Sequence, residues 1–334
     1  MTCLVVGTGL VGCYLGAAAG ATTAVAGPSG TLAATAVALP VGLRRWQPEL
    51  LPFARAVAGV GPILVACRSH QTPWSGLPRR ARLAQNGLGQ PRAPVVCFFA
   101  LDRRADGVIA AVGVRPRVVM ESAGRTWAGV VAAWRAAGIA VDEVADVRPA
   151  QWEKAILNAT VGPLCLALAG AAATGAGPGN DGDPALLFPK KSAEKSAEKC
   201  RENRRPGSAG AVMAAVWDDA RLRALCLSAT AEGERIAAAA GIAIAPGLVA
   251  RAERFFAAVG AHRPSVLQGP GELPWILGQI LATGRRHGVA MPALAQIAAR
   301  VAAVAGAAAA QPPVMGAALR AEPAGALALD PATT

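Results

Sequence analysis

Lysine is scarce in this sequence of 334 residues. Only five of its 33 basic residues are lysines, and four of those lie between residues 190 and 199, which leaves Lys154 as the sole lysine elsewhere. A lysine buried in a cleft can lower its pKa and give up a proton, whereas an arginine stays protonated. Lys154 is therefore a candidate general acid, with a surface lysine that extends its ammonium into water as the alternative.

Aromatic and charged residues are also few, at 4% and 16% of the chain, while 53% of the residues are hydrophobic. The formal net charge of +12 raises nucleic acid or an anionic membrane as a partner, because clustered Lys and Arg bind phosphate groups. The basic residues are scattered, however, and the densest group outside residues 175–210, which is Arg79, Arg80 and Arg82, has no aromatic platform for stacking bases. We predict a small anionic ligand as partner, and neither nucleic acid nor a membrane.

Cysteine and histidine are not arranged as metal ligands. The seven cysteines are widely spaced without any C-x-x-C pair, and His70, His262 and His287 are isolated from one another. We therefore predict neither a disulfide framework nor a metal site, and we expect a protein of the reducing cytoplasm. The chain is neutral from Met1 up to Arg44, but glycines interrupt this opening and no basic residue precedes it, so neither a signal peptide nor a membrane helix is expected.

Strand and helix signals divide the chain into two parts. Short apolar segments typical of buried parallel strands alternate with helical stretches over residues 1–149, which predicts an open, doubly wound α/β sheet. The predicted strands are "TCLVVG", "TTAVAG", "PILVAC", "RLAQNG", "APVVCFFAL" and "PRVVME". Over residues 150–310 the strand signals stop, and we predict an all-α domain with helices at 150–170, 211–240, 246–259, 272–288 and 291–309.

Two segments are predicted to lie outside the folded core. Residues 175–210 are rich in Gly and Pro and then in charge, with a short SAEK repeat, so they bury little apolar surface and are predicted to be a disordered insertion. Residues 311–334 are rich in Ala and Pro and are predicted to be a flexible tail.

The glycines of "VVGTGLVG" follow the first predicted strand and open a helix. Gly7, Gly9 and Gly12 have the G-x-G-x-x-G spacing of the Rossmann-type dinucleotide-binding fingerprint. The first glycine makes the turn, the second lets the pyrophosphate approach the backbone, and the third allows close packing of helix and strand. We therefore predict a dinucleotide site lined by the loop, whose residues are Gly7, Thr8, Gly9, Leu10, Val11 and Gly12.

The usual acidic residue that binds the ribose of NAD is missing at the end of the second strand, which reads "TTAVAGPSG". No arginine for the 2′-phosphate of NADP stands there either. Arg68 and the pair Arg44 and Arg45 are the candidates for a phosphate contact, with a solvated surface arginine as the alternative for each.

Lys154 and Asn158 are four residues apart in a predicted helix, so their side chains project from the same face. Asparagine is as rare as lysine, since outside residues 175–210 the chain has only Asn86 and Asn158. We predict that this helix face forms one wall of a catalytic cleft. His262 is a weaker candidate for the lining of the same cleft.

An ordered set of segments resembles the ketopantoate reductase (2-dehydropantoate 2-reductase) family. The segments are "GTGLVGCYLG", "CRSHQ", "QNGLG", "WEKAILNATVGPLCLAL" and "HRPSVLQ", followed by "ELPWILGQILATGRRHGVAMPAL". The resemblance implies an N-terminal Rossmann domain, a C-terminal helical domain and an active site between them. It further implies reduction of 2-dehydropantoate to pantoate, a step of pantothenate and coenzyme A biosynthesis. The expected cofactor is NADPH, with NADH as the alternative, and the expected assembly is a monomer or a homodimer.

The resemblance also assigns roles to individual residues. Lys154 matches the lysine that binds the substrate carbonyl and supplies its proton, and Asn158 matches the amide one helical turn further on. Asn86 matches an asparagine near the nicotinamide and the substrate, and Ser265 a serine that binds the substrate. Glu272 matches the glutamate that pairs with the substrate hydroxyl and orients the lysine.

Several positions depart from the family pattern. Arg68 stands where the family has a lysine near the cofactor phosphate, and Pro28 where an arginine commonly reads the 2′-phosphate. Gly269 replaces the aspartate of "LQD", and Pro274 and Leu277 replace residues that are frequently polar. Two alternatives therefore stay open: a dehydrogenase of another keto acid, and a cofactor-binding protein without turnover.

Overall fold

A computed structural model describes residues 3–26, 34–59, 61–68, 71–72, 74–122, 124–173, 211–260, 262, 264–268 and 270–310. The predicted insertion at 175–210 and the predicted tail at 311–334 lie outside the described residues. The same is true of Pro28, His70 and Gly269.

The described residues of the first half of the chain form ten strands, three α-helices and a 3-10 helix at Trp74–Gly76. The strands are β1 (Leu4–Val6), β2 (Thr23–Val25), β3 (Thr35–Leu39), β4 (Gly42–Trp46), β5 (Glu49–Leu50), β6 (Ile63–Val65), β7 (Ala81–Leu83), β8 (Val95–Arg103), β9 (Ile109–Glu121) and β10 (Ala140–Val144). The helices are α1 (Leu10–Ala19), α2 (Phe53–Val57) and α3 (Gly124–Ala136).

These strands form two sheets that adjoin each other. The first sheet has the order β5-β2-β1-β6-β7, and all its strand pairs are parallel. The second has the order β10-β9-β3-β4, with β8 also paired to β9, and a single bridge from Leu83 to Pro94 connects the two. The parallel sheet with helices confirms the predicted Rossmann-type fold class.

Helix α1 packs tightly against the rest of this half. The fully buried indole of Trp134 donates a hydrogen bond to the carbonyl oxygen of Leu15, 3.0 Å away. A Cβ atom on Gly16 would lie 2.7 Å from a ring carbon of Trp46, so only glycine lets β4 approach the helix this closely. Since α1 follows the glycine loop directly, this packing fixes the position of the predicted cofactor site.

The six predicted strands are present, but the sequence interpretation missed four others. These are the hairpin β3–β4, the short β5 and β10. The hairpin strand β3 alternates buried and half-buried side chains, but its two half-buried residues, Ala36 and Ala38, are alanines, which are depleted in strands and carry a weak strand signal. The antiparallel pairs β3–β4 and β8–β9 also make the second sheet mixed, and not purely doubly wound as predicted.

From Arg148 onward the described residues form helices and the loops between them. The α-helices are α4 (Arg148–Ala173), α5 (Ala211–Asp218), α6 (Ala220–Ala239), α7 (Leu248–Ala258), α8 (Leu277–Arg286) and α9 (Pro292–Ala310). Two 3-10 helices, Ser265–Gln268 and Pro270–Trp275, precede α8. No helix among the described residues is long and apolar enough to span a bilayer.

Two of the predicted helices differ from the structure. The predicted helix at 211–240 is interrupted, because the Asp219 carboxylate accepts hydrogen bonds from the backbone of Arg221 and Leu222 and starts a new helix. The predicted helix at 272–288 begins as a 3-10 helix with prolines at 270 and 274, which lack the backbone N–H that a regular α-helix needs.

A buried carboxylate joins α6 to the start of α9. Glu232 is only 4% exposed, and its two carboxylate oxygens accept hydrogen bonds of 2.8 Å from the backbone N–H groups of Ala293 and Leu294. The negative charge also lies at the positive end of the α9 helix dipole. Glu232 therefore serves as the N-terminal cap that α9 lacks in its own sequence.

We expect Glu232→Ala to destabilise the fold by about 2 kcal/mol, because two buried N–H groups lose a charged acceptor. Urea unfolding monitored by circular dichroism measures this loss. Glu234→Ala is the matched control, since the Glu234 carboxylate makes no hydrogen bond to a described residue, and it should change stability far less. Equal losses in the two variants would contradict the capping role.

Candidate active site

The glycine loop between β1 and α1 has the shape that a pyrophosphate requires. Gly7 has φ +97°, and a Cβ atom there would lie 2.6 Å from the backbone nitrogen of Cys67. A side chain at Gly12 would collide with the carbonyl group of Gly7, whereas a Cβ on Gly9 would meet nothing within 4 Å. The loop is therefore packed against the protein at its two ends and open at its centre.

The first turn of α1 supplies donors to this open side. Gly9 is the N-terminal cap and makes no side-chain hydrogen bond, while the N–H groups of Leu10 and Val11 have no carbonyl partner within the helix. The backbone of Thr8 is fixed from the helix side, because the thiol of Cys13 donates a hydrogen bond to its carbonyl oxygen at 3.3 Å. Free N–H groups and the helix dipole together bind a phosphate group, so the loop fits a dinucleotide.

Arg68 and Arg44 occupy opposite ends of α1. Arg68 follows β6 at the same sheet edge as the loop, and its carbonyl oxygen accepts a 3.0 Å hydrogen bond from Thr72. The Arg44 guanidinium instead donates to the carbonyl oxygen of Ala17 at 2.7 Å, at the C-terminal end of the helix. Since α1 is about 15 Å long, this hydrogen bond places Arg44 far from the glycine loop, and Arg68 is the stronger candidate for the phosphate contact.

The loop after β7, which carries Asn86, lies between two elements of the helical half. Gly87 has φ +114°, and a Cβ there would lie 2.8 Å from the carbonyl oxygen of Trp275. The same oxygen accepts a 2.9 Å hydrogen bond from the backbone of Leu88, and the Gln151 amide on α4 donates to the carbonyl oxygen of Gly87 at 3.0 Å. Glycine is required at 87 by both its backbone conformation and the lack of space.

Three of the side chains named from the sequence meet at this loop. The Asn158 amide on α4 donates to the Asn86 side-chain oxygen at 2.8 Å, and the Asn86 amide donates to Oε2 of Glu272 at 3.4 Å. Glu272 is 7% exposed, so its carboxylate is largely removed from water. Their catalytic and binding roles stay predictions, but the three residues form one connected hydrogen-bonded group.

Lys154 lies one helical turn before Asn158, half-buried between the sheet and α7. Its Nζ atom is 5.6 Å from the centre of the Phe255 ring, a cation–π distance. Burial lowers the pKa of Lys154 from 10.5 to about 8, opposed weakly by the nearby Cys97 on β8. The resemblance predicts that Glu272 orients this lysine, yet among the described residues no carboxylate pairs with Lys154, and Glu272 bonds to Asn86 instead.

Two residues beside Lys154 escaped the sequence interpretation. Phe255 and Cys97 have no motif that would mark them, since each lies within an ordinary apolar segment. Burial raises the pKa of the Cys97 thiol to about 12, so the group that faces the lysine from β8 is uncharged near neutral pH.

The remaining candidates have different surroundings. The backbone of Ser265 opens a 3-10 helix that packs on α4, where a Cβ on Gly162 would lie 3.4 Å from the Val266 side chain. The imidazole of His262 pairs with β8, since its Nδ1 atom lies 3.2 Å from a carboxylate oxygen of Asp102. No cluster of potential metal ligands occurs among the described residues.

Comparison with known proteins identifies the helical half. Residues 206–305 match the family model described as ketopantoate reductase PanE/ApbA C terminal. No curated protein is detectably similar in sequence.

Solved structures resemble the chain over nearly its whole length. A PanE/ApbA family ketopantoate reductase from Ralstonia eutropha JMP134 is 20% identical, with a TM-score of 0.62, and the match covers 91% of this chain and 98% of that one. A 2-dehydropantoate 2-reductase from Methylococcus capsulatus is 18% identical, with a TM-score of 0.61 and 93% and 99% coverage. D-mandelate dehydrogenase with NADH and anilino(oxo)acetate is 15% identical, with a TM-score of 0.62 and 91% and 100% coverage.

The resemblance that the sequence motifs predict is thereby confirmed: residues 206–305 match the ketopantoate reductase C-terminal model, and the chain as a whole shares its fold with solved structures of ketopantoate reductases.

Proposed function

We propose that this protein is an NAD(P)H-dependent reductase of a 2-keto acid, and specifically that it reduces 2-dehydropantoate to pantoate with NADPH in pantothenate and coenzyme A biosynthesis. The observation that carries the proposal is the hydrogen-bonded group of Asn86, Asn158 and Glu272, which begins one helical turn after Lys154, a lysine whose pKa burial lowers. The glycine loop, open at Gly9, supports a dinucleotide in the sheet half.

In this proposal a dinucleotide bound at the glycine loop supplies the hydride to the 2-keto carbon. The Lys154 ammonium hydrogen-bonds the keto oxygen, stabilises the negative charge that develops there and then donates its proton to it. With a pKa of about 8, Lys154 is mostly protonated at pH 7, yet it gives up its proton more readily than an exposed lysine would.

The neighbouring amides hold the substrate in this proposal. Asn158 donates to Asn86 and Asn86 donates to Glu272, which fixes the orientation of both amides. Oδ1 of Asn158 has no hydrogen-bond partner among the described residues and can accept a substrate hydroxyl. 2-Dehydropantoate has a single hydroxyl group, for which Glu272 is the charged acceptor beside this oxygen, and Ser265 also binds the substrate in this proposal.

A second candidate is the reduction of a 2-keto acid with an apolar substituent. The apolar surroundings of Lys154, formed by Phe255 and Cys97, favour such a group. D-mandelate dehydrogenase, a structural neighbour, has been crystallised with anilino(oxo)acetate, whose name describes an aryl-substituted 2-oxo acid. A panel of keto acids separates the two candidates by their values of kcat/KM.

Lys154→Arg should lower kcat by about 10²-fold or more while NADPH still binds, because arginine keeps the charge but does not release a proton. Initial rates of NADPH oxidation with 2-dehydropantoate give kcat, and thermal stabilisation by NADPH reports binding in the same variant. A fully active variant would refute the proton-donor role. If NADPH stabilises the wild-type protein but no keto acid leads to oxidation of NADPH, the protein binds the cofactor without turnover.

The pH dependence of kcat should follow the ionisation of Lys154. The protonated form is the active one, and burial lowers its pKa to about 8, so the rate should be constant below that pH and fall as the pH rises through it. Rates measured from pH 6 to pH 10 locate this limb, in a range where NADPH is stable enough for initial-rate assays. A limb near the ordinary lysine pKa of 10.5 would contradict a desolvated donor.

Arg68→Gln should raise KM for NADPH about tenfold and leave KM for NADH nearly unchanged, if Arg68 contacts the 2′-phosphate. Arg44→Gln is the matched control, because its guanidinium binds the opposite end of α1. Both variants are assayed with each cofactor at saturating keto acid. An equal change in the two KM values of Arg68→Gln would assign the residue to another part of the cofactor.

A further inference from the structure

We infer that Phe255 is the positioning residue of the proton donor, and that its ring face orients the Lys154 ammonium without offering it a proton acceptor. The inference rests on the proposed function, in which Lys154 protonates the keto oxygen.

The ring of Phe255 is held rigidly on α7. Its centre lies 5.6 Å from the ring centre of Phe256, at an interplanar angle of 70°, and Phe256 in turn lies 5.4 Å from Trp217. Phe256 is 1% exposed, so this aromatic row is anchored in the core of the helical half. A ring supported from behind keeps its face in one place, 5.6 Å from Nζ of Lys154.

An ion pair beside the ring fixes α7 against α4. Arg251 lies one helical turn before Phe255 and binds both carboxylate oxygens of Glu153, with its Nε 3.1 Å from Oε1 and an Nη 2.9 Å from Oε2. Glu153 directly precedes Lys154 in the chain. Neighbouring residues of α4 therefore contact neighbouring turns of α7. Because the Glu153 carboxylate is paired with Arg251, the acidic group nearest to the lysine in sequence is already neutralised.

The other titratable groups around Lys154 are neutral or bonded elsewhere. On β8 the Cys97 thiol is uncharged near neutral pH, and Asp102 bonds to His262. From the 3-10 helix before α8, Glu272 accepts its hydrogen bond from the Asn86 amide.

The chemical consequence concerns the strength of the acid. A carboxylate at the place of the Phe255 ring would favour the ammonium form, raise its pKa and hold the proton. An aromatic face attracts the cation through its quadrupole but takes no proton, and it excludes water from one side of the ammonium. The ring thus orients the donor while burial still makes it a stronger acid.

Direct titration of Lys154 tests the inference. The chain has only five lysines, four of them between residues 190 and 199, so Lys154 is easily assigned in NMR spectra of the full chain labelled with ¹³C-lysine, as the signal absent from Lys154→Arg. In Phe255→Leu we expect the midpoint to fall by about half a pH unit, roughly threefold in acid strength, because the site stays apolar but the cation–π attraction is lost. The pH at which kcat declines should decrease by the same amount, and KM should change less.

Two further variants make the test selective. Phe255→Trp keeps a ring face and should hold the midpoint at or above the wild-type value, which also tests the inference if Phe255→Leu does not fold. Phe256→Leu in the next position removes the ring that supports Phe255 but keeps the ring that faces the lysine, so it should lower stability and move the midpoint much less than Phe255→Leu does. An unchanged midpoint in Phe255→Leu, an equal shift in Phe256→Leu, or a fall in Phe255→Trp would overturn the inference.

The two proposals fail separately. If the wild-type protein oxidises neither NADPH nor NADH in the presence of any keto acid, the proposed function is overturned. The NMR titration still decides whether Phe255 governs the pKa of Lys154. An active enzyme in which the midpoint ignores Phe255 overturns the inference alone.

Discussion

The close contact of the loop at residues 85–88 with Trp275 and α4 is the constraint on which the rest of the site depends. It joins the end of β7 in the parallel sheet to the helical half through the backbone of Leu88 and the carbonyl oxygen of Gly87. Only because this loop is wedged there does Asn86 reach both Asn158 and Glu272. A side chain at Gly87 would separate the two halves and disperse the polar group.

The polar and apolar parts of the site have different tasks. Asn158, Asn86 and Glu272 form a chain of hydrogen bonds, which offsets part of the free-energy cost of removing these polar groups from water and leaves Oδ1 of Asn158 available to a ligand. Lys154 has no such carboxylate partner among the described residues and lies beside a ring and a neutral thiol. The hydrogen bonds therefore fix the orientation of Asn86 and Asn158, whereas, among the described residues, the charge of Lys154 is stabilised only by the aromatic ring.

Local features were predictable from the sequence and long-range ones were not. The glycine loop follows from spacing alone, because all its requirements lie within residues 7–12. Asn86 and Glu272 are 186 residues apart, so physical reasoning from the sequence could not join them, and only the family resemblance placed them in one site. Phe255 and Cys97 were missed because their contacts with Lys154 join a helix and a strand that are distant in the sequence. The hairpin β3–β4 was missed because alanines weaken the strand signal of β3 and four of the five residues of β4 are exposed.

The double role of Asn86 has a thermodynamic consequence. This one residue belongs to the sheet half by its position after β7, but its side chain forms hydrogen bonds with Asn158 and Glu272 in the helical half. Any ligand that shifts the loop in one half must therefore strain or strengthen bonds in the other. Coupling of this kind is reciprocal, so the affinities of two ligands, one bound in each half, would depend on each other by the same factor.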